Sequence, residues 1–177
     1  MKKRRLFSFL LLLVLLAGMF SVPAFADGEE ADDTGPFEVH AKAAILLDMN
    51  TDRIIYEKNL DERVYPASLT KIMTCLVALE NGNLSDIVTI DEGAFTGLDG
   101  NSSTAGLQVG EQLSFNDLLY CLMLSSGNEA ANAVAEHIAG SIPDFVRMMN
   151  ERAYELGCTG THFVNPHGLH NEEHYTT

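Results

Sequence analysis

Positive charge is scarce in this sequence: 11 Lys+Arg stand against 25 Asp+Glu, a formal net charge of −14. Neutralising nucleic-acid phosphates takes clustered Lys and Arg. The only cluster is Lys2, Lys3, Arg4 and Arg5, so nucleic acid is excluded as a partner. Cysteine is sparse too. Cys75, Cys121 and Cys158 form no Cys-x-x-Cys pair, and the first two sit inside apolar runs at residues 72–79 and 118–124. They read as small buried hydrophobes, although an odd count also allows one disulfide and a free thiol. No apolar run reaches the ~20 residues that a bilayer-spanning helix needs. No internal repeat is visible, and no Gly-x-Ser-x-Gly elbow anchors a Ser-His-Asp hydrolase.

What is present suits a globular domain. Hydrophobic residues make up 46% and charged residues 20% of 177, which excludes disorder across the whole chain. The length supports one domain plus a tail, large enough to bury about two-thirds of its surface. The tail is N-terminal. The four early cations precede an apolar stretch at 6–20, and Ala24-Phe25-Ala26 follows. That is the pattern of a secretory signal peptide over residues 1–26, cleaved after Ala26. The protein is therefore expected to work outside the cytoplasm, on the cell-wall or periplasmic face. Residues 27–36 (DGEEADDTGP) hold five acids and no bulky apolar side chain, and read as a flexible acidic leader. The domain proper is expected over 37–177.

Within it, short runs at 43–47 and 53–56 flank a polar stretch at 48–52 that suits a hairpin. A helix is predicted over 68–80, with Ile72, Cys75, Leu76 and Leu79 at helical spacing and Asn81-Gly82 at its end. A short strand is expected at 88–90, and further helices at 116–124, 128–138 and 142–156, the last with Pro143 in its first turn. Strands and helices without regular alternation point to an α+β fold.

The chemistry concentrates in two places. In Tyr65-Pro66-Ala67-Ser68-Leu69-Thr70-Lys71, the i, i+3 spacing sets Ser68 and Lys71 on one helical face. A serine hydroxyl needs an adjacent base, and lysine can serve if burial lowers its pKa. A helix N-terminus nearby favours a developing oxyanion. Further on, Ser126-Gly127-Asn128 occupies a turn between two helices. As isolated letters these are common residues, and Ser, Gly and Asn are ordinary turn formers. Together, Ser-x-x-Lys followed by Ser-x-Asn matches two of the three elements of penicillin-recognising serine enzymes.

The segments PASLTKIMT, GLQVGEQLSFNDLLYCLMLSSGNEAANAVAEHIAG and THFVNPHGL resemble the D-alanyl-D-alanine carboxypeptidases, the low-molecular-mass penicillin-binding proteins. The likeness runs from about residue 43 to 177. It implies an antiparallel sheet covered by helices, with a helical subdomain containing residues 126–128. It implies that Ser68 forms the acyl-enzyme and that its N–H supplies half of the oxyanion hole. Lys71 would take the serine's proton, Ser126 would relay a proton to the leaving D-alanine, and Asn128 would orient the lysine and the substrate. The implied partners are peptidoglycan stem peptides ending in D-Ala-D-Ala and β-lactam antibiotics, with no metal or other cofactor. The family's third motif, Lys-Thr-Gly, lies on a strand beyond the Asn-x-x-Gly-Leu stretch. The chain is therefore expected to be an incomplete catalytic domain, inactive alone, with any membrane association in segments outside it. A serine β-lactamase would carry Ser-Asp-Asn where Gly127 stands here. That alternative remains open, as does an inactive wall-binding relic of the same fold. The remaining motif, His170-x-x-Glu173-His174, has the letters of an inverted zinc-peptidase site but follows a turn sequence, and is expected to be a solvated polar loop.

Overall fold

The computed structural model describes residues 39–100 and 102–177; the expected signal peptide and leader lie outside them. Strands β1 (Ala44–Asp48) and β2 (Arg53–Lys58) pair antiparallel from Ala44↔Lys58 to Asp48↔Arg53, with an irregularity between Leu46 and Leu47. Their turn closes on Asp48, whose carboxylate accepts the Asn50 N–H at 2.9 Å, a local bond that favours Asp in turns. The predicted hairpin is present.

The first long helix is shorter at its start than the periodicity suggests. A 3₁₀ turn spans Ala67–Leu69, and α1 runs Thr70–Asn81. It stops at Gly82, where a Cβ would meet the Phe115 and Ile138 side chains, so only glycine lets the chain leave this close to the core. Strand β3 (Ile87–Thr89) pairs antiparallel with β4 (Gln112–Ser114); β4 is three residues long and went unforeseen. Helix α2 (Phe115–Leu124) begins at Ser114, whose hydroxyl accepts the Asp117 N–H at 3.1 Å. Helix α3 spans Asn128–Ala139 and ends at Gly140 in the left-handed region, φ 75°. Helix α4 (Ile142–Glu155) repeats the serine cap, with Ser141 accepting from Asp144 at 3.2 Å and Pro143 in the first turn, where its missing N–H costs nothing. Helices with two small antiparallel sheets make an α+β fold.

Helix α3 is the centre. Every residue from Asn128 to Ala135 is buried. Four of these are alanines (130, 131, 133 and 135), whose small side chains let neighbouring helices approach closely. Around α3 the core is filled by Val77 from α1, Phe115, Leu118 and Leu122 from α2, and Phe145 and Met149 from α4. All three cysteines are free thiols. Cys75 and Cys121 pack partly buried against the core, whereas Cys158 is exposed beyond α4. The core reading therefore holds for two of them only.

Candidate active site

Ser68 lies exposed in the 3₁₀ turn that leads into α1, and Lys71, one turn on, is 2% exposed. The turn is entered through Ala67 with φ 49°, a left-handed conformation that costs a non-glycine residue roughly 1–2 kcal/mol. It persists because surrounding structure clamps it. Gly168, itself at φ 91°, lies so close that any Cβ there would collide with the Ala67 carbonyl. Ser126 is a second strained position, at φ 54°. Of the four non-glycine residues with positive φ among the described residues, Asp52 and Asn59 lie in the β1–β2 region, whereas Ala67 precedes Ser68 and Ser126 is itself a candidate, the placement expected where backbone strain gathers at functional sites.

The Lys71 ammonium is held by two acceptors. It donates to Asn128 Oδ1 at 2.7 Å and to the His167 carbonyl at 2.8 Å. Burial pushes its pKa down to about 8 from 10.5, opposed by the attraction of the Glu129 carboxylate. A lysine in that range surrenders its charge near neutral pH, as a general base must. Of the four residues singled out in the sequence, Lys71 and Asn128 are in direct contact. Ser68 makes no hydrogen bond to Lys71 or Ser126 among the described residues, and Ser126 Oγ is buried with no partner among them.

The site's floor comes from residues 161–177. Val64 and Thr176 exchange backbone hydrogen bonds at 2.8 and 2.9 Å, and the Arg63 guanidinium sits 3.5 Å over the Tyr175 ring. This docks the segment beside the strand-like approach to Ser68. Thr74 Oγ1 donates to the Pro166 carbonyl at 2.6 Å, and Asn165 Oδ1 takes the Gly168 N–H at 2.7 Å. The His167 carbonyl is thereby presented to Lys71. The His167 ring accepts the Leu169 N–H at Nδ1 and is held neutral, its pKa lowered to about 4 by burial, the nearby Lys71 charge and His174.

His174 corrects the expectation of a solvated loop. His170, Asn171, Glu172 and Glu173 are exposed, but His174 is buried at 2%. Its Nδ1 accepts the Val164 N–H at 3.1 Å, and Nε2 lies 2.7 Å from Thr70 Oγ1. An accepting Nδ1 leaves the proton on Nε2, which donates to the threonine. Burial lowers its pKa to about 4, with His162 adding to the effect. Among the described residues no three His, Cys, Asp or Glu side chains come together to hold a metal. A cleft of about 650 Å³ lined by Asn132, Glu136, Asn165 and His170 borders the site along the 164–171 stretch and includes His167 but none of Ser68, Lys71, Ser126 or Asn128.

The structure thus adds Thr70, Thr74, His167, His174 and Glu129 to the residues read from sequence. His174 stands in the His-x-x-Glu-His letters, and Thr70, Thr74, His167 and Glu129 stand in the segments that carry the resemblance, but nothing local names their partners.

The fold recurs in solved bacterial proteins described as penicillin-binding proteins and DD-peptidases. Penicillin-binding protein 5 from Haemophilus influenzae superposes with a TM-score of 0.75 at 39% identity, over 81% of this chain and 43% of that one. A Streptomyces K15 DD-transpeptidase mutant does so with 0.73 at 34%, over 80% and 58%. The family profile described as D-alanyl-D-alanine carboxypeptidase matches residues 29–177, and the chain belongs to that family. D-alanyl-D-alanine carboxypeptidase DacF of Bacillus subtilis is 40% identical over 179 residues, 98% of this chain and 45% of the relative. The DacA carboxypeptidase of Haemophilus influenzae is 37% identical over 172 residues, 93% and 44% respectively. The chain spans less than half the length of these curated relatives.

Proposed function

We propose that the protein carrying this chain is an exported serine-type carboxypeptidase. It would remove the terminal D-alanine from peptidoglycan stem peptides and be acylated by β-lactams at the same serine. The observation that carries the reading is the buried Lys71–Asn128 pair, 2.7 Å apart, one helical turn from an exposed Ser68.

In this reading the neutral form of Lys71, made accessible by a pKa of about 8, accepts the Ser68 proton as Oγ attacks the carbonyl carbon of the penultimate D-alanine. The charge that builds on the carbonyl oxygen is met by the Ser68 N–H at the start of α1, one donor of an oxyanion hole. Collapse breaks the peptide bond. The leaving amine takes a proton through Ser126, whose buried hydroxyl is uncommitted among the described residues. Water then attacks the ester, and Ser68 recovers its proton. Asn128 holds the lysine by its side-chain oxygen and leaves its amide N–H groups for the substrate. A β-lactam would enter by the same attack on its ring carbonyl.

Incubation with labelled penicillin, followed by peptide mapping, tests this. The label is expected on Ser68, and is expected to be absent in Ser68→Ala and in Lys71→Ala. Label retained in Ser68→Ala, or acylation of Lys71→Ala within tenfold of the parent, would overturn the assignment.

A further inference from the structure

Glu129 follows the Ser126-Gly127-Asn128 turn directly, is 1% exposed, and belongs to neither sequence motif. A buried carboxylate without compensation is costly, so its bonds matter. Its Oε1 accepts three: from Thr104 Oγ1 at 2.6 Å, the Ala105 N–H at 2.7 Å and the Gly106 N–H at 3.0 Å. One residue earlier, the Asn128 N–H donates to the Ser103 carbonyl at 2.9 Å. Gly127 permits the contact, since a Cβ there would press on Ala105 at 3.1 Å. Residues 103–106 are therefore strapped across the head of α3, over the turn that carries Ser126 and Asn128. The same carboxylate attracts the Lys71 ammonium.

We propose that Glu129 is a positioning residue for this site: its carboxylate fixes residues 103–106 against the Ser126–Asn128 turn and supplies the negative charge that Lys71 feels. The proposal rests on the reading of Lys71 as the base of Ser68.

The charge facing Lys71 is simple to count by element. From α3 comes Glu129. From the segment after α4 come His167 and His174, both neutral above about pH 4. The first turn of α1 contains no acid, and the buried α4 residues, Phe145, Met149 and Ala153, are apolar. Among the described residues, Glu129 is thus the one charge that works with the two hydrogen-bond acceptors of Lys71 against burial. Removing its charge while keeping an acceptor should make Lys71 easier to deprotonate.

The test compares Glu129→Gln and Glu129→Ala with the parent. It records the pH dependence of Ser68 acylation, the NMR titration of the Lys71 side chain, and amide exchange at Ala105 and Gly106. In the Gln variant the Lys71 titration and the acid limb of acylation should both move down by about one pH unit. Acylation at pH 6 should then rise by up to about tenfold, as one pKa unit is a tenfold change in the free base, with exchange at 105 and 106 unchanged. A purely structural role would lower the rate at every pH instead. In the Ala variant exchange at both amides should accelerate and acylation should fall at least tenfold throughout. Titration of Lys71 in Glu129→Gln within 0.2 pH units of the parent (about the precision of such a measurement) would overturn the proposal. If the Gln variant does not fold, Thr104→Val reads the strap alone: faster exchange at 105 and 106 is expected, and unchanged exchange overturns it. A full-length parent that penicillin does not acylate would refute the base assignment, while the Lys71 titration would still decide the role of Glu129.

Discussion

Thr70 Oγ1 and His174 Nε2 lie 2.7 Å apart, both buried, across 104 positions of sequence. With Val164 N–H on the other ring nitrogen, the imidazole is committed as a neutral donor at the first residue of α1, two positions after Ser68. A charged ring would turn a second N–H towards the Val164 N–H.

Acid sensitivity follows from that commitment. The pKa values of His167 and His174 are about 4 in the folded chain against 6.5 for a free ring. Between these values the unfolded chain binds protons that the folded one refuses, so stability must rise with pH there. The melting temperature is expected to hold above pH 6.5, fall as pH drops towards 4, and lose this dependence below it. His174→Gln should flatten the slope, which thermal melts across pH 4–8 would measure.

Acylation should track deprotonation of Lys71. With a pKa of about 8, the rate should climb about tenfold per pH unit below that value and level off above it. Lys71→Arg keeps the charge but cannot lose it near neutrality, and should be inert to penicillin from pH 6 to 10. Stopped-flow or quenched labelling gives the profile.

Asn128→Ala removes one of two acceptors from a buried ammonium. A hydrogen bond to a charged group contributes about 1.5–3 kcal/mol. Acylation should therefore drop by roughly 10- to 150-fold, with the loss read as a second-order rate constant.

Gly168→Ala adds a methyl group against the Ala67 carbonyl at a φ of 91°. Either the 161–177 segment or the Ser68 turn must give way. The variant should melt several degrees lower, and its acylation should fall more than stability alone explains. Thr74→Val, which loses the short bond to the Pro166 carbonyl and two longer contacts to the Thr70 carbonyl and Met149 Sδ, should cost about 1–3 kcal/mol and serves as the comparison in denaturant titrations.

Alkylation should separate the thiols. Cys158 is exposed, while burial raises the thiol pKa of Cys75 and Cys121. In the folded chain Cys158 should react first, and unfolding without reductant should expose all three to alkylation; mass spectrometry counts them.

Much of this was legible because it is local. The Asn81-Gly82 stop stands beside the apolar periodicity it ends, and Pro143 falls in the first turn of the helix it predicts. Ser68, Lys71, Ser126 and Asn128 could be singled out because each pair lies within one turn of chain, and the structure brings Lys71 and Asn128 into contact. Strand β4 was missed because three residues cannot display alternation; its pairing with β3 is visible only in space. Glu129 went unread, and His174 was read as solvated, for a related reason. Each is defined by a partner far along the chain, and a polar residue destined for burial looks in sequence like one destined for water.

The lysine's second acceptor, the His167 carbonyl, has a consequence for the order in which the protein is made. During synthesis residue 68 emerges long before residue 167, and closing so long a loop carries an entropic cost that is met only once the late contacts form. Until then Lys71 is solvated, its ammonium retains its ordinary proton affinity, and Ser68 is an alcohol like any other. On the proposed reading, the nascent chain passes through its own making with Ser68 unarmed.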